Sequence, residues 1–400
     1  MSTYNDASLI YYPSGYKAGT AYSLKPTDGS GDLDFTRAST ATRVNESGLI
    51  ESVATGVPRI DFTGGGCGKL LLEPQRTNLV TQSVNLSSWS FSNWTKTINS
   101  ATAPDGTNTA NLIEQTTNGL IYASPATAES TLSVFLKYNS AMQFFQIMGN
   151  GDANTYANFD IVNGLVGNIG SLSKAEIKDY GSGWYRISMT ILTGATLDYF
   201  RIKSVTSLTA AWNNGTIFSG SFYAWGGQVE TGYATSYIPT SGTAVTRVRD
   251  SASKTPISSF LNTANPFTFY VNFERAEGTT PATYQLIGLD NGSYGEYIKL
   301  VNKSAQLKFY IAVKNSTTFT ISADITNTPN IKVAIVYNGA TSYKIFHNGA
   351  LLQTLTLGAC SLNRFASGEN GMQFTTESYQ SIMIFQSALS DADAIALTTI

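Results

Sequence analysis

Apolar runs of strand length recur every ten to fifteen residues through the middle of this 400-residue chain, and no helical period replaces them. Residues 131–138 (TLSVFLKY), 142–148 (MQFFQIM), 184–192 (WYRISMTIL) and 221–225 (SFYAW) are such runs. Turn markers such as Pro104-Asp105-Gly106, Asn163-Gly164 and Asn213-Asn214-Gly215 separate them. Many short strands without intervening helices specify a sandwich or jelly roll. The expected fold class is all-β: two tandem antiparallel β-sandwich (jelly-roll) domains preceded by an extended N-terminal arm.

Residues 221–250 mark the division between the two. The first half reads as a buried strand that ends in a bend at Gly226-Gly227, and residues 231–243, rich in Gly, Thr, Ser, Tyr and Pro, read as an ordered crossing segment. One unit closes here and another opens after Asp250. In the second unit, residues 267–273, 284–289, 297–301, 307–313, 331–337, 343–346 and 381–385 read as strands. Asn348-Gly349 is the strongest hairpin signal, because a type I′ turn needs positive φ at both central positions. Ser390 caps one short terminal helix with acids in its first turn, expected as a plug on the sandwich edge. Residues 1–80 hold only short extended pieces (37–43, 48–60) and a flexible Gly64-Gly65-Gly66 break. They are expected as an attachment arm that gains order against the next module or other subunits, followed by units at 81–250 and 251–400.

Composition narrows the function. Charged residues are 13% of the chain, against roughly 25% in an average soluble domain, while 22 Tyr, 20 Phe and 35 Gly favour strands and tight turns. A net charge of −2 with scattered basic residues offers no stripe for nucleic acid, and no run is long enough to span a membrane. No secretory signal is legible at the start, and Cys67 and Cys360 form no disulfide framework, which reads as assembly in a reducing cytoplasm.

A family resemblance rests on specific wording. Residues 37–43 (RASTATR), 48–60, 71–79 (LLEPQRTNL), 104–110 (PDGTNTA), 180–189 (YGSGWYRISM) and 227–240 (GQVETGYATSYIPT) resemble phage and prophage virion proteins of the tail-fibre or head-fibre kind. In these a short lead precedes a carbohydrate-binding-module-like jelly roll. Residues 255–400 more loosely resemble a concanavalin A-like or laminin-G-like sandwich, through KVAIVYNGATSYKIFHNGALLQTL and SIMIFQSALSDADAIAL. The resemblance implies a virion fibre or appendage subunit, assembled in the host bacterial cytoplasm. It further implies docking to other virion proteins through the N-terminal arm, a homo-oligomer (a trimer), and adhesion to bacterial surface glycans.

The residues themselves point away from catalysis. His347 is the only histidine, so no triad or His-based metal site can be assembled around others, and no Cys pair has zinc spacing. Glucanases on the concanavalin A-like fold carry Glu-x-Asp-x-x-Glu on one strand, and no Glu here has an Asp two positions later. The acid pair Asp391/Asp393 suits a helix N-terminus. The stretch 64–69 (GGGCGK) lacks the outer Gly and the Ser/Thr of a phosphate loop. The chain is therefore expected to be no enzyme, with no cofactor and no metal.

What remains is binding by surface. Sugars stack their C–H patches on aromatic faces, with amides and carboxylates around them. The loop 290–297 (DNGSYGEY) offers Tyr294 and Tyr297 beside Asp290 and Asn291, and these four are the candidate glycan-binding residues. Trp184 and Trp225 read as core. Arg37, Arg43, Glu73 and Arg76 read as surface pairs that set the arm's register, worth at most about 1 kcal/mol each. A free-standing lectin and a cryptic glycoside hydrolase are the alternative readings.

Overall fold

The structure, a computed structural model, describes residues 3–123, 129–149, 151–192, 199–214, 219–275, 285–293, 295–302, 308–326, 330–367 and 377–400. The strands form three large sheets, whose paired strands run antiparallel, as two sandwiches. The all-β class expected from the spacing of apolar runs is the observed one.

One sandwich is assembled from both ends of the chain. Its first sheet runs in the order Ala350–Thr356, Ser342–His347, Ile331–Tyr337, Phe267–Arg275, Glu377–Phe385, Lys69–Leu72, Ile60–Asp61, and Ala7–Tyr11 also pairs Glu377–Phe385. Its second sheet places Leu33–Thr36 against Ser251–Lys254, then Arg364–Ser367, Gln285–Asp290, Tyr297–Asn302 and Lys308–Lys314. Strand alternation explains how the sheets close on each other. Phe267, Phe269, Val271 and Phe273 face a core shared with Leu9, Leu33, Phe35, Leu70 and Leu72, while Tyr270 faces out. The helix Asp391–Thr398, capped by Ser390, buries Ala394 on that outer face beside Ala334 and Phe346, so it covers a face and not an edge.

The first 80 residues are extended, as expected, but among the described residues their strands pair, outside their own length, with residues 245–385. They are sheet partners of the C-terminal unit. The physical reason is the unsatisfied edge of Glu377–Phe385: its backbone donors and acceptors need a partner, and Ala7–Tyr11 and Lys69–Leu72 supply it.

The second sandwich, residues 90–231, is thus inserted into the first. A two-stranded neck, Arg76–Asn78 paired with Val245–Arg247, carries the chain out and back. Its ten-stranded sheet folds over a core of Ile113, Leu132, Val134, Phe145, Ile187 and Phe222. Ala110–Ala123 joins the layers by pairing Gly220–Thr231 along its first part and Phe200–Val205 at its end. Gly220–Thr231 does not stop at the expected bend: it continues through Gly226, whose φ of +65° gives a bulge in place of an ending. A Cβ on Gly226 would lie 2.7 Å from the Phe135 ring, which is why glycine is needed there.

The strand Ser130–Ser140 is buried on both faces from Ser130 to Leu136. Leu132, Val134 and Leu136 enter the inter-layer core, and Phe135 points the other way into a cluster with Trp184, Trp225, Tyr237 and the hairpin residues Val44 and Ile50. Trp184 and Trp225 are core residues, with indole N–H groups donating to the Thr102 carbonyl (3.2 Å) and Thr109 Oγ1 (3.0 Å). The hairpin Ala41–Val44/Ile50–Val53 therefore bridges from the N-terminal segment onto the inserted sandwich.

Burying Leu9, Leu33, Phe35, Leu70 and Leu72 contributes about 1.5–3 kcal/mol each. A chain of residues 251–400 alone is expected to lack a native core, giving no dispersed amide spectrum and rapid proteolysis. A stable, protease-resistant 251–400 fragment would contradict this account.

Candidate functional site

Five charged side chains meet where the neck joins the first sandwich: Arg37, Arg59, Glu73, Arg247 and Asp250, none more than 2% exposed. Each lies at or next to a strand end. Arg37 follows Leu33–Thr36, Arg59 precedes Ile60–Asp61, Glu73 follows Lys69–Leu72, Arg247 closes Val245–Arg247, and Asp250 precedes Ser251–Lys254. Strand ends leave backbone carbonyls unpaired, and guanidinium groups with five donors each can satisfy them.

Asp250 accepts from Arg37 Nη1 (3.0 Å), from Arg59 Nη2 and from the Glu73 backbone N–H (2.9 Å). Glu73 pairs Arg59 and Arg247, each at 2.7 Å, and accepts from the backbone N–H and hydroxyl of Ser236 at 2.7 and 2.5 Å. The arginines also donate to carbonyls, Arg37 to Ser39, Ala54 and Val57, Arg59 to Thr42, and Arg247 to Pro74. Arg59 and Arg247 donate to the Ser236 hydroxyl as well, while their Nε atoms have no hydrogen-bond partner among the described residues. One network thus ties the N-terminal segment, the neck and the crossing segment together. Burial alone would raise the Glu73 carboxyl, but Arg247, Arg59 and the Ser236 hydrogen bonds outweigh it and hold the group well below the usual carboxylate range.

The residues expected as surface register pairs divide accordingly. Arg37 and Glu73 are buried members of this brace, because their partners Asp250 and Arg247 come from far along the chain. Arg43 pairs Glu51 at 2.7 Å, and Arg76 lies 4.0 Å from the buried Glu230 and over the Tyr233 ring.

In front of the brace lies a cleft of about 790 Å³, within the roughly 300–1,000 Å³ typical of ligand sites. One wall is the open edge of the inserted sandwich, where Leu165–Ile169 and Ser173–Asp179 are joined by the turn at 170–172. The opposite wall carries Arg43, Thr63, Gly64 and Lys69 from the N-terminal segment and Glu274 from the first sandwich. Arg186, Thr235 and Glu73 are also in its lining. Arg186 is fixed by bonds to the Thr235 carbonyl (2.6 Å) and Ser133 Oγ (2.8 Å), above the Phe135 ring. The walls carry matched ion pairs, Lys69–Glu274 at 2.7 Å and Lys178–Glu176 at 2.9 Å, around the apolar Leu165, Val166 and Ile177.

The loop singled out from sequence lies on the other sandwich's second sheet. Asp290 is 1% exposed, with its carboxylate held by Arg364 (2.8 and 3.0 Å), Lys299 (3.3 Å) and the Gly292 N–H (2.8 Å). Burial would raise it, but the Arg364 bonds, the Gly292 N–H and Lys299 lower it. Asn291 turns its side-chain oxygen onto the Ser293 N–H and hydroxyl. Tyr297 is half-buried with Lys299 over its ring at 4.8 Å, and Tyr294 lies outside the described residues. The cleft residues come from five separated stretches (42–73, 164–188, 234–237, 274 and 378), and neither their meeting nor the strands Leu165–Ile169 and Ser173–Asp179 were readable in advance.

No protein-family model matches the chain, and no curated protein matches it. Solved structures it is similar to include the receptor-binding domain of botulinum neurotoxin C/D mosaic serotype, at 16% identity over 38% of this chain and 40% of that chain, with a TM-score of 0.32. Another is the Ruminococcus gnavus IT-sialidase CBM40 bound to alpha2,3 sialyllactose, at 18% identity over 34% of this chain and 83% of that chain, with a TM-score of 0.29. A third is the botulinum neurotoxin serotype D binding domain, at 15% identity over 37% of this chain and 40% of that chain, with a TM-score of 0.31. The chain covers about two fifths of the length of the two neurotoxin domains.

Removing one partner from a buried ion pair costs about 3–5 kcal/mol, since the remaining charge is stranded. Glu73→Ala is expected to destabilise the protein by that amount in urea titrations, and a loss below about 1 kcal/mol would contradict the brace. The acid limb follows from the sign of the shift. Because Glu73 is depressed in the folded state, its contribution is complete above its ordinary value of 4.5 and declines as pH falls below that. Thermal melts from pH 5 downward are expected to fall less steeply for Glu73→Ala than for the parent chain.

Proposed function

We propose that this chain is a non-catalytic subunit of a phage fibre or related virion appendage, which carries two braced β-sandwiches and adheres to glycans on the host bacterial surface. The observation that carries the reading is how the buried charges are used. Arg37, Arg59, Glu73, Arg247 and Asp250 bind one another and backbone carbonyls across the junction. A general acid needs a raised carboxyl pKa, whereas Glu73, the more deeply buried of the two buried carboxyls in the cleft lining, is pushed the opposite way. Side chains that brace a neck suit a subunit whose task is to hold a shape.

The recurring phage-fibre wording of residues 37–43, 71–79 and 227–240 coincides with this brace: it contains Arg37, Glu73 and Ser236. In this reading the first 80 residues dock on other virion proteins through side chains they leave exposed, such as Tyr4 (46%), Leu24 (51%) and Leu49 (40%), and the subunit acts as a homo-oligomer, a trimer.

Imaging of intact particles at residue resolution tests the assignment. The chain is expected on the outside of the particle, in a ring or fibre of copies, with residues 1–80 at the contact to the neighbouring protein. Particles that lack the chain, or that carry it with residues 1–80 facing solvent, would refute the respective parts.

A further inference from the structure

We infer that the cleft between the two sandwiches is the glycan site, and that its ligand is a neutral oligosaccharide; this rests on the adhesive reading above. Charge is the first argument. Three of the cleft's cations pair with carboxylates, Lys69 with Glu274 at 2.7 Å, Lys178 with Glu176 at 2.9 Å and Arg43 with Glu51 at 2.7 Å, while Arg186 is committed to the Thr235 carbonyl and Ser133 Oγ and Asp179 follows Lys178. An acidic sugar drawn to Lys178 would be repelled by Glu176 at nearly the same distance. A hydroxyl both donates and accepts, so it can bridge the two members of a pair without breaking it.

Shape and polarity agree. Leu165 is 51% exposed on one wall, with Val166, Ile177 and the half-buried Tyr180 beside it, an apolar strip against which the C–H face of a pyranose can lie. A protein partner is the poorer fit, since the centres of protein interfaces are depleted of Lys, Glu and Asp, the residues found here on both walls. The floor is also pre-formed. Arg186 and Glu73 are immobilised by their own partners, so binding need not order them. The loop at Asp290 is the contrast, because its carboxylate is buried and committed to Arg364 and Lys299.

The test uses the full chain on a printed array of neutral and acidic oligosaccharides. The parent chain is expected to bind neutral members. The double variant Leu165→Asp/Lys178→Ala, at half-exposed or exposed positions on edge strands, should keep its melting temperature and bind those members at least tenfold more weakly. Tyr297→Ala should bind like the parent. A maleimide fluorophore gives a second readout, since Cys67 is exposed and Cys360 buried, and Cys67 follows the cleft residue Gly64 closely. Its emission should shift when a neutral hit is added to the labelled parent and stay unchanged in the double variant.

The outcomes separate cleanly. Binding retained by the double variant, loss caused by Tyr297→Ala, a silent fluorophore on a chain that binds, or hits confined to acidic sugars would each overturn the cleft assignment while leaving adhesion intact. A parent chain that binds no member of the array overturns adhesion itself.

Discussion

Three arginines and two carboxylates shut away from water are the constraint to which the rest of this molecule answers. Taking such groups out of solvent costs several kcal/mol per ion, offset where geometry is good and further hydrogen bonds satisfy most of the remaining donors, which here leaves Arg59 Nε and Arg247 Nε without a hydrogen-bond partner among the described residues. Here Asp250 has two guanidinium partners and a backbone N–H, and Glu73 has two guanidinium partners and both donors of Ser236. The arrangement demands that residues 37, 59, 73, 236, 247 and 250 arrive together. That is possible only when the N-terminal strands are zipped to the C-terminal sandwich and the neck is closed. Apolar packing supplies most of the stability, and loss of any one member of the brace strands the charge of its partners.

The same junction shapes the surface. Because the inserted sandwich leaves and returns through a single pair of short strands, its open edge is held facing the N-terminal segment and Glu274. A looser neck would let that gap vary. The cleft is therefore a by-product of the brace, with its floor drawn partly from the brace itself through Glu73 and Thr235.

Much of the architecture is legible in the chain. The alternation in FTFYVNF and IKVAIVY, the Asn348-Gly349 turn and the Ser390 cap act locally, and they appear where local physics puts them. Strands such as Ser90–Ala101 and Ser173–Asp179 are less so, because their outward faces are polar and their apolar contacts few. The division of the chain was hidden for a different reason. Nothing in ASLIY or KLLL says that the partner is a strand more than 300 residues away. Arg37 and Glu73 read as surface charges by composition, and burial came from the distant Asp250 and Arg247. The loop 290–297 looked like a sugar site because its aromatic and amide residues cluster in sequence, while the commitment of Asp290 to Arg364 is a contact across the sheet.

Pairing of Ala7–Tyr11 with Glu377–Phe385 also fixes a timetable. During synthesis the opening strand leaves the ribosome long before its neighbour exists. In the interval the intervening 90–231 unit finds what its layers need in Val80, Leu86, Trp89 and the covering hairpin, made before it, and in Tyr237, made just after it. The first sandwich can close only when translation is nearly over. A nascent chain stalled late would therefore display a finished inner module on an unfinished holder whose apolar strands are bare to chaperones.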